Sequence, residues 1–209
     1  MLLKTIQVGQ IGTNCYILSD EVTLDTAVID PGDEAERILE YVESEGLKVK
    51  YILLTHGHFD HTLGVGRIQE RTGAPVYVHR ADSARKREMY KYDAAAAAGE
   101  VRFFGEGDAL RLGDEPISVM HTPGHSEGSC TLRCEDMLFT GDTLFRDTCG
   151  RTDLPGGDFH EIIGSLRKLY ELEGDFEVLP GHEAPTTLAR ERRLNMYMRQ
   201  ASDGDISGK

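Results

Sequence analysis

The stretch THGHFDH, at residues 55–61, constrains this chain more than any other feature of its sequence. In a chain with eight histidines among 209 residues, it brings together His56, His58, Asp60 and His61. On a loop that leaves a strand, the alternate spacing of His56, His58 and Asp60 can point these side chains into one cavity. Imidazole and carboxylate are ligands of divalent zinc, manganese and iron. The stretch therefore predicts part of a metal site.

Further candidate ligands follow downstream, each at the end of a predicted strand. His125 lies in HTPGHSEGS, Asp142 in FTGDTLF and His182 in VLPGHEAP, and a glycine directly precedes each of them. Glycine permits tight turns and close backbone approach, which a crowded site requires. Zinc takes about four protein ligands in a structural site and about three plus water in a catalytic one. Seven candidates suit two ions that share a carboxylate better than a single ion.

Position in the chain also indicates which candidates could contact different ions and which histidines lie outside the motifs. Asp60 and His61 are adjacent, and adjacent side chains diverge, so this pair could contact two different ions. His79, His121 and His160 lie outside every ligand pattern. We interpret these three as strand-end or surface residues, although His121, four residues before His125, could support the site.

Composition narrows the classes of partner. The formal charge of −13 at pH 7 argues against nucleic acid, because phosphate binding needs clustered Lys and Arg. No apolar run is long enough to cross a membrane, and the first residues lack the pattern of a signal peptide. We therefore expect a cytoplasmic protein with no membrane partner, and the sequence makes no prediction about its oligomeric state. Reduced, buried thiols are expected at Cys15, Cys130, Cys134 and Cys149.

Hydrophobic periodicity predicts short strands that alternate with helices. The strand patterns are LLKTIQV, NCYILS, TAVIDPG, KVKYILLT, PVYVH, EVRFF, DALRL, PISVMHT, CTLRCEDMLFT and FEVLP. Helices are predicted over 33–45, 62–71, 158–172 and 185–200, and over 80–99 as a surface helix or a mobile flap. Two blocks of strands, each followed by helices, indicate an α/β fold. We expect two sheets with helices outside, in a single domain over residues 1–209.

Four motifs in order, THGHFDH, HTPGHSEGS, TGDTLF and LPGHE, resemble those of the metallo-β-lactamase superfamily, and within it the glyoxalase II (hydroxyacylglutathione hydrolase) branch. The resemblance spans about residues 9–186. It implies a four-layer αββα sandwich with the metals at one edge of the two sheets. It also implies that one ion is held by His56, His58 and His125, that a second is held by Asp60, His61 and His182, and that Asp142 bridges them.

Within that branch the chain is most similar to the shorter bacterial members. Longer members bind glutathione partly through a C-terminal helical region, whereas only residues 183–209 follow His182 here. After Asp142 the chain reads TCGRTDLPGG, where the longer members continue GCGR with aromatic and acidic residues. These departures bear on whether glutathione is the thiol part of the substrate. They leave the predicted hydrolytic chemistry unchanged.

The loop after Asp142 supplies the candidates for contact with substrate: Phe145, Arg146, Arg151 and Asp153. An arginine there could pair with a substrate carboxylate. Alternatively, Arg151 and Asp153 could pair with each other and hold the loop. Cys149, in the same loop, has no histidine base assigned to it and is interpreted as a small loop residue.

The predicted activity is that of a binuclear hydrolase, with thioesters as the first choice of substrate. A water that bridges two dications loses a proton near neutral pH, and the resulting hydroxide can attack an acyl carbonyl while Asp60 orients it. A thiolate leaves readily because its conjugate acid has a pKa of about 8.5. We expect two zinc ions, with iron or manganese as alternatives, and a small thioester, ester or lactone as substrate.

Three alternatives remain open at this point. A persulfide dioxygenase would need one iron, for which His56, His125 and Asp142 suffice. A lactonase of the same superfamily would use the whole set, whereas many β-lactamases lack the bridging aspartate, so Asp142 counts against that activity. A metal-binding module without activity is the third alternative. A purely structural site, however, would not need to be open or to hold two ions that share one carboxylate.

Overall fold

Two six-stranded sheets carry the fold in the computed structural model, which describes residues 1–84, 89–94 and 97–203. In chain order the strands are β1 (Leu2–Val8), β2 (Thr13–Ser19), β3 (Asp25–Ile29), β4 (Lys48–Leu53), β5 (Val76–His79), β6 (Ser83–Ala84), β7 (Tyr92–Asp93), β8 (Val101–Phe104), β9 (Ala109–Leu112), β10 (Glu115–His121), β11 (Cys130–Cys134), β12 (Met137–Gly141), β13 (Leu144–Phe145), β14 (Thr148–Cys149), β15 (Glu177–Pro180) and β16 (Thr186–Thr187). The helices are α1 (Ala35–Ser44), α2 (Phe59–Thr62), α3 (Val65–Thr72), α4 (Phe159–Tyr170), α5 (Leu188–Leu194) and α6 (Met196–Asp203).

The order of the strands decides which loops can meet. The first sheet runs β1-β2-β3-β4-β5-β8 and the second β16-β15-β12-β11-β10-β9. Strands β3, β4, β5 and β8 are parallel in the first sheet, and β12 is parallel to β15 in the second. Because the carboxyl ends of parallel strands meet at one edge, the residues after β3 and β4 come together, as do those after β12 and β15.

Three clusters of buried apolar side chains separate four layers. The first cluster joins α1 and α3 to the first sheet and includes Ile38 and Ile68. The second lies between the two sheets and includes Leu18 and Phe139. The third joins α4 and α6 to the second sheet and includes Leu166. The layers are therefore helix, sheet, sheet, helix, which confirms the αββα sandwich implied by the sequence resemblance.

Strand β2 shows how the sequence supplies both faces of the first sheet. Cys15 and Ile17 belong to the cluster beneath the helices, whereas Tyr16 and Leu18 belong to the cluster between the sheets. All seven residues of β2 are buried. Since successive side chains of a strand point to opposite faces, an almost continuously apolar strand fits a sheet that is covered on both sides.

The helices predicted over 33–45 and 158–172 are confirmed as α1 and α4. Asp158 caps α4, because its carboxylate accepts hydrogen bonds from the backbone N–H groups of His160 and Glu161 at 2.7 and 2.9 Å. Within the described ranges, none of the helices combines the length and the apolar character that a transmembrane helix needs.

Three other predicted segments have different boundaries in the structure. The run CTLRCEDMLFT forms two strands, β11 and β12, with Glu135 at a φ of 51° in the turn between them. The helix predicted over 62–71 corresponds to α3, which begins at Val65, and the residues just before it form the separate short helix α2, which ends at Thr62. The helix predicted over 185–200 is split at Asn195, whose side-chain oxygen accepts the N–H of Tyr197 at 3.0 Å and so starts a new helix.

The helix predicted over 80–99 is wrong for the described part of that segment. Arg80–Asp82 forms one turn of 3-10 helix, and β6 then pairs with β7 in parallel. The carboxylate of Asp82 accepts hydrogen bonds from two distant loops, and these contacts hold the backbone in a non-helical path. The interpretation as a flap concerns residues that include 85–88 and 95–96, which lie outside the described ranges.

Candidate metal centre

Residues 55–61 leave the first sheet at the carboxyl end of β4. They first extend to His58, which has φ −64° and ψ 149°, and then turn into the short helix α2. His56, His58 and His61 are 1%, 4% and 0% exposed. Burial of three imidazoles at one strand end is unfavourable unless their nitrogens find partners. The partners come from the second sheet.

The second sheet contributes three side chains at the same place. His125 lies in the loop between β10 and β11, Asp142 directly follows β12, and His182 follows β15 by two residues. The parallel pairing of β12 with β15 brings Asp142 and His182 to one edge. All seven residues predicted as ligands therefore converge between the two sheets.

His56, His58 and His125 form the first group, in which one nitrogen from each lies within 4.8 Å of the others. Nδ1–H of His125 donates to the carbonyl oxygen of Arg151 at 2.8 Å, so its Nε2 carries the lone pair. This Nε2 is 3.0 Å from Nδ1 of His58. Nδ1 of His56 lies 3.1 Å from the hydroxyl of Thr55, which leaves Nε2 to face the group.

Asp60, His61 and His182 form the second group. Oδ2 of Asp60 is 3.2 Å from Nε2 of His182 and 3.7 Å from Nε2 of His61. The two imidazole nitrogens are 3.3 Å apart. The expectation that Asp60 and His61 point apart is therefore wrong. They lie on one turn of α2 rather than on extended backbone, so neighbouring side chains can reach the same point.

The carboxylate of Asp142 lies between the two groups. Its Oδ2 is 3.4 Å from Nε2 of His125, in the first group, and 3.6 Å from Nε2 of His182, in the second. Its Oδ1 is 3.5 Å from Nε2 of His61. Asp142 is thus the one predicted ligand that faces both groups, which is the position of a bridging carboxylate.

Two histidines of the first group, His56 and His58, are held in their neutral form. Burial, and then the neighbouring imidazoles, lower the pKa of His58 to about 3. The same two causes hold the pKa of His56 well below its ordinary value. Neutral imidazole is the form that binds a metal, so little proton competition is expected at these two residues.

In the second group, the negative charges of nearby carboxylates raise the pKa values of the histidines. Burial alone would lower the pKa of His61, yet the charges of Asp142 and Asp30 raise it to about 9. Burial also opposes protonation of His182, but its hydrogen bond with Asp60 raises the pKa. For Asp60, burial raises the pKa, and the hydrogen bond from His182 together with the charges of His61 and His182 outweighs this and brings it to about 2. The group therefore favours positive charge at its centre.

Unpaired buried atoms test whether the residues fit metal ions. Among the described residues, Nε2 of His56, Nε2 of His58, Oδ1 of Asp142 and Nδ1 of His182 are buried with no hydrogen-bond partner. Buried polar atoms in native proteins are almost always paired. Two of these four, Nε2 of His56 and Oδ1 of Asp142, face the groups of predicted ligands. Imidazole and carboxylate donors, in groups of three with a shared aspartate, fit two divalent ions.

Asp30, at the end of β3, is a site residue that the sequence analysis missed. Its carboxylate accepts from the N–H of Thr55 at 2.7 Å, from the hydroxyl of Thr55 at 2.6 Å, and from Nδ1–H of His61 at 3.0 Å. Asp30 also lies within 4.8 Å of nitrogens of His56 and His61. Its bonds to Thr55 and His61 engage both oxygens, so we assign it the role of orienting His61. An aspartate just before the Pro-Gly turn of VIDPG was the available signal.

Asp82 is a second carboxylate that the sequence analysis missed. It is 1% exposed and accepts from the N–H of Gly57 at 2.9 Å, the hydroxyl of Ser126 at 2.6 Å and the N–H of Gly128 at 2.8 Å. Gly57 lies between His56 and His58, and Ser126 follows His125. Asp82 therefore ties together the two loops that carry the first group. Nothing in its sequence context indicated this role.

A cavity of about 410 Å³ opens in front of the two groups. Phe145 and Arg151, two of the candidates for contact with substrate, line it together with Tyr90 and Leu154. The side chain of Tyr90 packs edge-on against His58, with ring centroids 5.2 Å apart. The cavity is thus apolar around a polar floor, which suits a small organic substrate.

Two of the predicted substrate contacts, Arg146 and Asp153, do not line this cavity. Arg146 is exposed and lies 4.0 Å from Asp147. Asp153 forms a two-pronged ion pair with Arg151, with both N–O distances at 2.7 Å. The second interpretation of this loop, in which Arg151 and Asp153 pair with each other, therefore describes the structure. That pairing also occupies the guanidinium that was predicted to meet a substrate carboxylate.

The remaining histidines and the cysteines lie apart from the two groups. His79 stacks on His121, with ring centroids 4.3 Å apart, and His160 is near the start of α4. All four cysteines are free thiols, and three are buried as expected, whereas Cys149 is partly exposed. Burial raises the pKa of Cys149 to about 12, which makes it a poor nucleophile.

The chain belongs to the metallo-β-lactamase superfamily, whose family model matches residues 8–183. It is 38% identical to an uncharacterized protein of Aquifex aeolicus, over 98% of this chain and 100% of that protein. It is 30% identical to the protein of Haemophilus influenzae named hydroxyacylglutathione hydrolase GloC, over 97% of this chain and 100% of that one.

Solved structures of similar proteins have the same fold. The B3 metallo-β-lactamase BLEG-1 is 32% identical, with a TM-score of 0.82 over 94% of this chain and 99% of that one. ETHE1 from Myxococcus xanthus is 28% identical, with a TM-score of 0.81 over 99% of this chain and 92% of that one. TTHA1623, solved in a di-iron-bound form, is 33% identical, with a TM-score of 0.78 over 93% of this chain and 99% of that one.

Proposed function

We propose that this protein binds two divalent metal ions and hydrolyses thioesters, in the manner of the glyoxalase II branch. The observation that carries the proposal is the place of Asp142, within 3.6 Å of nitrogens from both groups of ligands. His56, His58 and His125 would hold one ion, Asp60, His61 and His182 the other, and Asp142 both. The name of the Haemophilus relative supports the hydroxyacylglutathione type of substrate.

Two bound dications would supply acidity to a shared water and polarise a carbonyl oxygen. The protein's own groups define the rest of the reaction. Asp60 lines the cavity, and its carboxylate is held ionised by His182 and His61, so it can accept a hydrogen bond from the attacking water. The apolar walls at Phe145 and Leu154 limit the access of other water to the acyl group.

The overall reaction adds water across the acyl–sulfur bond. The water oxygen forms a bond to the acyl carbon, the carbon–sulfur bond breaks, and a carboxylic acid and a thiol leave. A thiolate departs without strong acid help. The sulfur therefore needs no proton from Arg151, the cation beside the cavity, which is paired with Asp153.

The test is to measure the metal content of protein purified without added metal and to assay thioesters on the same sample. We expect about two ions per chain, zinc in first place and iron or manganese otherwise, and hydrolysis of S-lactoylglutathione or of simpler acyl thioesters. Metal-loaded protein that hydrolyses no thioester would contradict the proposal. The cytoplasmic location and the small-molecule substrate stay predictions alongside it.

A cyclic substrate is the second candidate, because BLEG-1 is named a metallo-β-lactamase and is 32% identical over nearly the whole chain. A lactone or a β-lactam would use the same groups of residues. Assays with a chromogenic cephalosporin and with a simple lactone separate this activity from thioester hydrolysis.

The one-iron persulfide dioxygenase is the remaining candidate. His125 and Asp142 lie 3.4 Å apart beside His56, so the three residues it needs are together. Asp60, His61 and His182 also lie together as a second group of candidate ligands, and this favours two ions over one. A single bound iron, with consumption of oxygen in the presence of glutathione persulfide, would place this activity first.

A further inference from the structure

Three large apolar side chains are exposed at one side of the candidate metal centre. Ile11, Phe59 and Leu63 are 58%, 37% and 55% exposed. They line a hollow of about 340 Å³ that shares Ile11, Phe59 and Asp60 with the main cavity. Grouped exposed apolar residues mark binding surfaces, whereas single ones need no explanation. The hollow is therefore a continuation of the site.

Rigid backbone presents these side chains. Ile11 lies in the turn between β1 and β2, where the N–H of Gly12 bonds to the carbonyl of Gly9 at 3.3 Å and the side chain of Gln7 bonds to Gly12 at 3.2 Å. The N–H of Phe59 donates to the carbonyl of Met89 at 3.1 Å, and that of Leu63 to the carbonyl of Phe59 at 3.1 Å. Such a preformed apolar surface can bind a chain at little ordering cost.

Charge in the hollow favours an uncharged arm over an anionic one. Its described lining residues include the carboxylates Asp33 and Asp60, and a bound ion would offset the charge of Asp60. Asp33 lies outside the proposed ligand set, and no lysine or arginine is among those described lining residues. A carboxylate or phosphate placed in this hollow would therefore meet like charge without a cation beside it, whereas an uncharged arm would not.

We propose that the hollow formed by Ile11, Phe59 and Leu63 binds an uncharged apolar chain of the substrate, next to the scissile bond. This inference rests on the proposed thioesterase function and specifies its substrate class. The chain belongs either to the acyl group or to the thiol, and the chemistry of recognition is the same for both.

Two substrate series separate these sources. The first series consists of N-acetylcysteamine thioesters whose acyl chain grows from acetyl to octanoyl. The second consists of S-alkyl thioacetates whose alkyl group grows from methyl to hexyl. Each methylene that enters the hollow is worth up to about fourfold in kcat/KM. A rise in the first series assigns the hollow to the acyl group, and a rise in the second assigns it to the thiol.

Variants of the lining residues give the structural control. Ile11→Gln and Leu63→Gln are each expected to reduce the rise to less than about twofold per methylene. Val22→Gln, at an exposed apolar residue in the turn between β2 and β3, is the matched control and should leave the chain-length dependence unchanged. Equal slopes in all four proteins would overturn the assignment of the hollow.

The two proposals fail in different ways. Turnover of thioesters without any dependence on chain length, in either series, would overturn the apolar subsite and leave the thioesterase standing. If no thioester is hydrolysed, binding of methyl ketones from 2-butanone to 2-decanone, followed by NMR titration, tests the hollow without turnover. Affinity that rises with chain length, and less so in Ile11→Gln, supports the subsite, whereas a flat series overturns it.

Discussion

At the scale of single residues, Asp142 has the most demanding position in the site. Its two oxygens lie 3.4 to 3.6 Å from nitrogens of both groups, so it links the two proposed ions. We expect Asp142→Asn to lose metal and nearly all hydrolytic activity, because an amide supplies one weaker oxygen in place of a shared carboxylate. Metal content and turnover should be measured on the same preparation.

His79→Ala is the control for that experiment. His79 stacks on His121 away from the two groups and should be dispensable for metal binding. Full metal occupancy is expected in this variant. Loss of one ion from His79→Ala, or normal metal and turnover in Asp142→Asn, would show that the ligands were assigned wrongly.

Asp82 permits a second prediction at this scale. It accepts three hydrogen bonds from the loops that carry His56, His58 and His125. In Asp82→Asn the amide group would face one of these donors. Loss of such a supporting carboxylate typically weakens metal binding by roughly 10- to 100-fold. We expect the ion of the first group to be weakened in this way, as measured by cobalt(II) titration followed through visible absorption.

The exposed Asp114 provides a matched control for charge. Asp114→Asn removes the same carboxylate from a surface turn and should leave both cobalt(II) affinities unchanged. An unaltered affinity in Asp82→Asn would mean that the two loops hold their positions without this residue.

The residues proposed as ligands could be singled out in the sequence, and the residues that support them could not. His56, His58 and Asp60 stand out by their spacing, and the later proposed ligands each follow a glycine. Asp30 and Asp82 have no such pattern, because their hydrogen-bond donors come from loops that are distant in sequence. Contacts of that kind become visible only once the strands are placed in their sheets.

At the scale of elements, Gly181 shows how closely the strand ends approach each other. A Cβ at this position would lie 2.2 Å from Oδ1 of Asp142 and 2.7 Å from Cε1 of His61. Gly181→Ala should therefore displace two proposed ligands. We expect a loss of metal affinity together with a lower free energy of unfolding, by roughly 1–3 kcal/mol for an overpacked site. Metal titration and urea denaturation measure the two effects.

Gly164 gives the opposite result for the same substitution. It lies on the exposed face of α4, where a Cβ would meet nothing within 4 Å. Gly164→Ala should raise the free energy of unfolding by about 0.5–1 kcal/mol through helix propensity. If both substitutions destabilise the protein equally, the effect of Gly181→Ala is not due to crowding at the site.

The element boundaries that the sequence predicted wrongly have local causes. Asn195 divides α5 from α6 because its side chain caps the second helix and also bonds to the carbonyl of Thr148 at 2.9 Å. Periodicity over 185–200 continues through this residue, so it cannot report the break. The segment over 80–99 has a helical composition, and in its described part near Asp82 tertiary hydrogen bonds to that residue override the preference.

At the scale of the whole molecule, the site joins the two sheets. His56, His58, Asp60 and His61 follow the first sheet, and the other proposed ligands follow the second. Asn14 on β2 reinforces this junction, because its side chain donates to the carbonyls of Pro180 and Glu183 at 3.0 and 2.9 Å. The assignment of residues 1–209 to one domain stays a prediction, and this shared site supports it.

Tyr16, also on β2, supports a prediction about pH. Its hydroxyl donates to the carbonyl of Pro180 at 2.6 Å, and burial raises its pKa far above 10. The neutral phenol therefore stabilises the fold fully below about pH 10, and this contribution is lost as the pH rises further. Tyr16→Phe should be less stable by about 1 kcal/mol near neutrality.

Urea denaturation at about pH 8 and about pH 10.5 checks the sign of this dependence. The difference in stability between the wild-type protein and Tyr16→Phe should shrink at the higher pH, because Tyr16 then ionises in the unfolded chain and stabilises it, while the buried phenol stays neutral. A difference that stays constant or grows would contradict the assignment of this alkaline sensitivity to Tyr16.

The most direct test of the binuclear site is a zinc titration of metal-depleted protein, with hydrolysis of an acyl thioester followed at each point. We predict no hydrolysis without metal and a rise that reaches its plateau at about two zinc ions per chain, as a site built from two groups of ligands requires. Full activity at one ion per chain, or hydrolysis by the metal-free protein, would contradict a shared two-ion site.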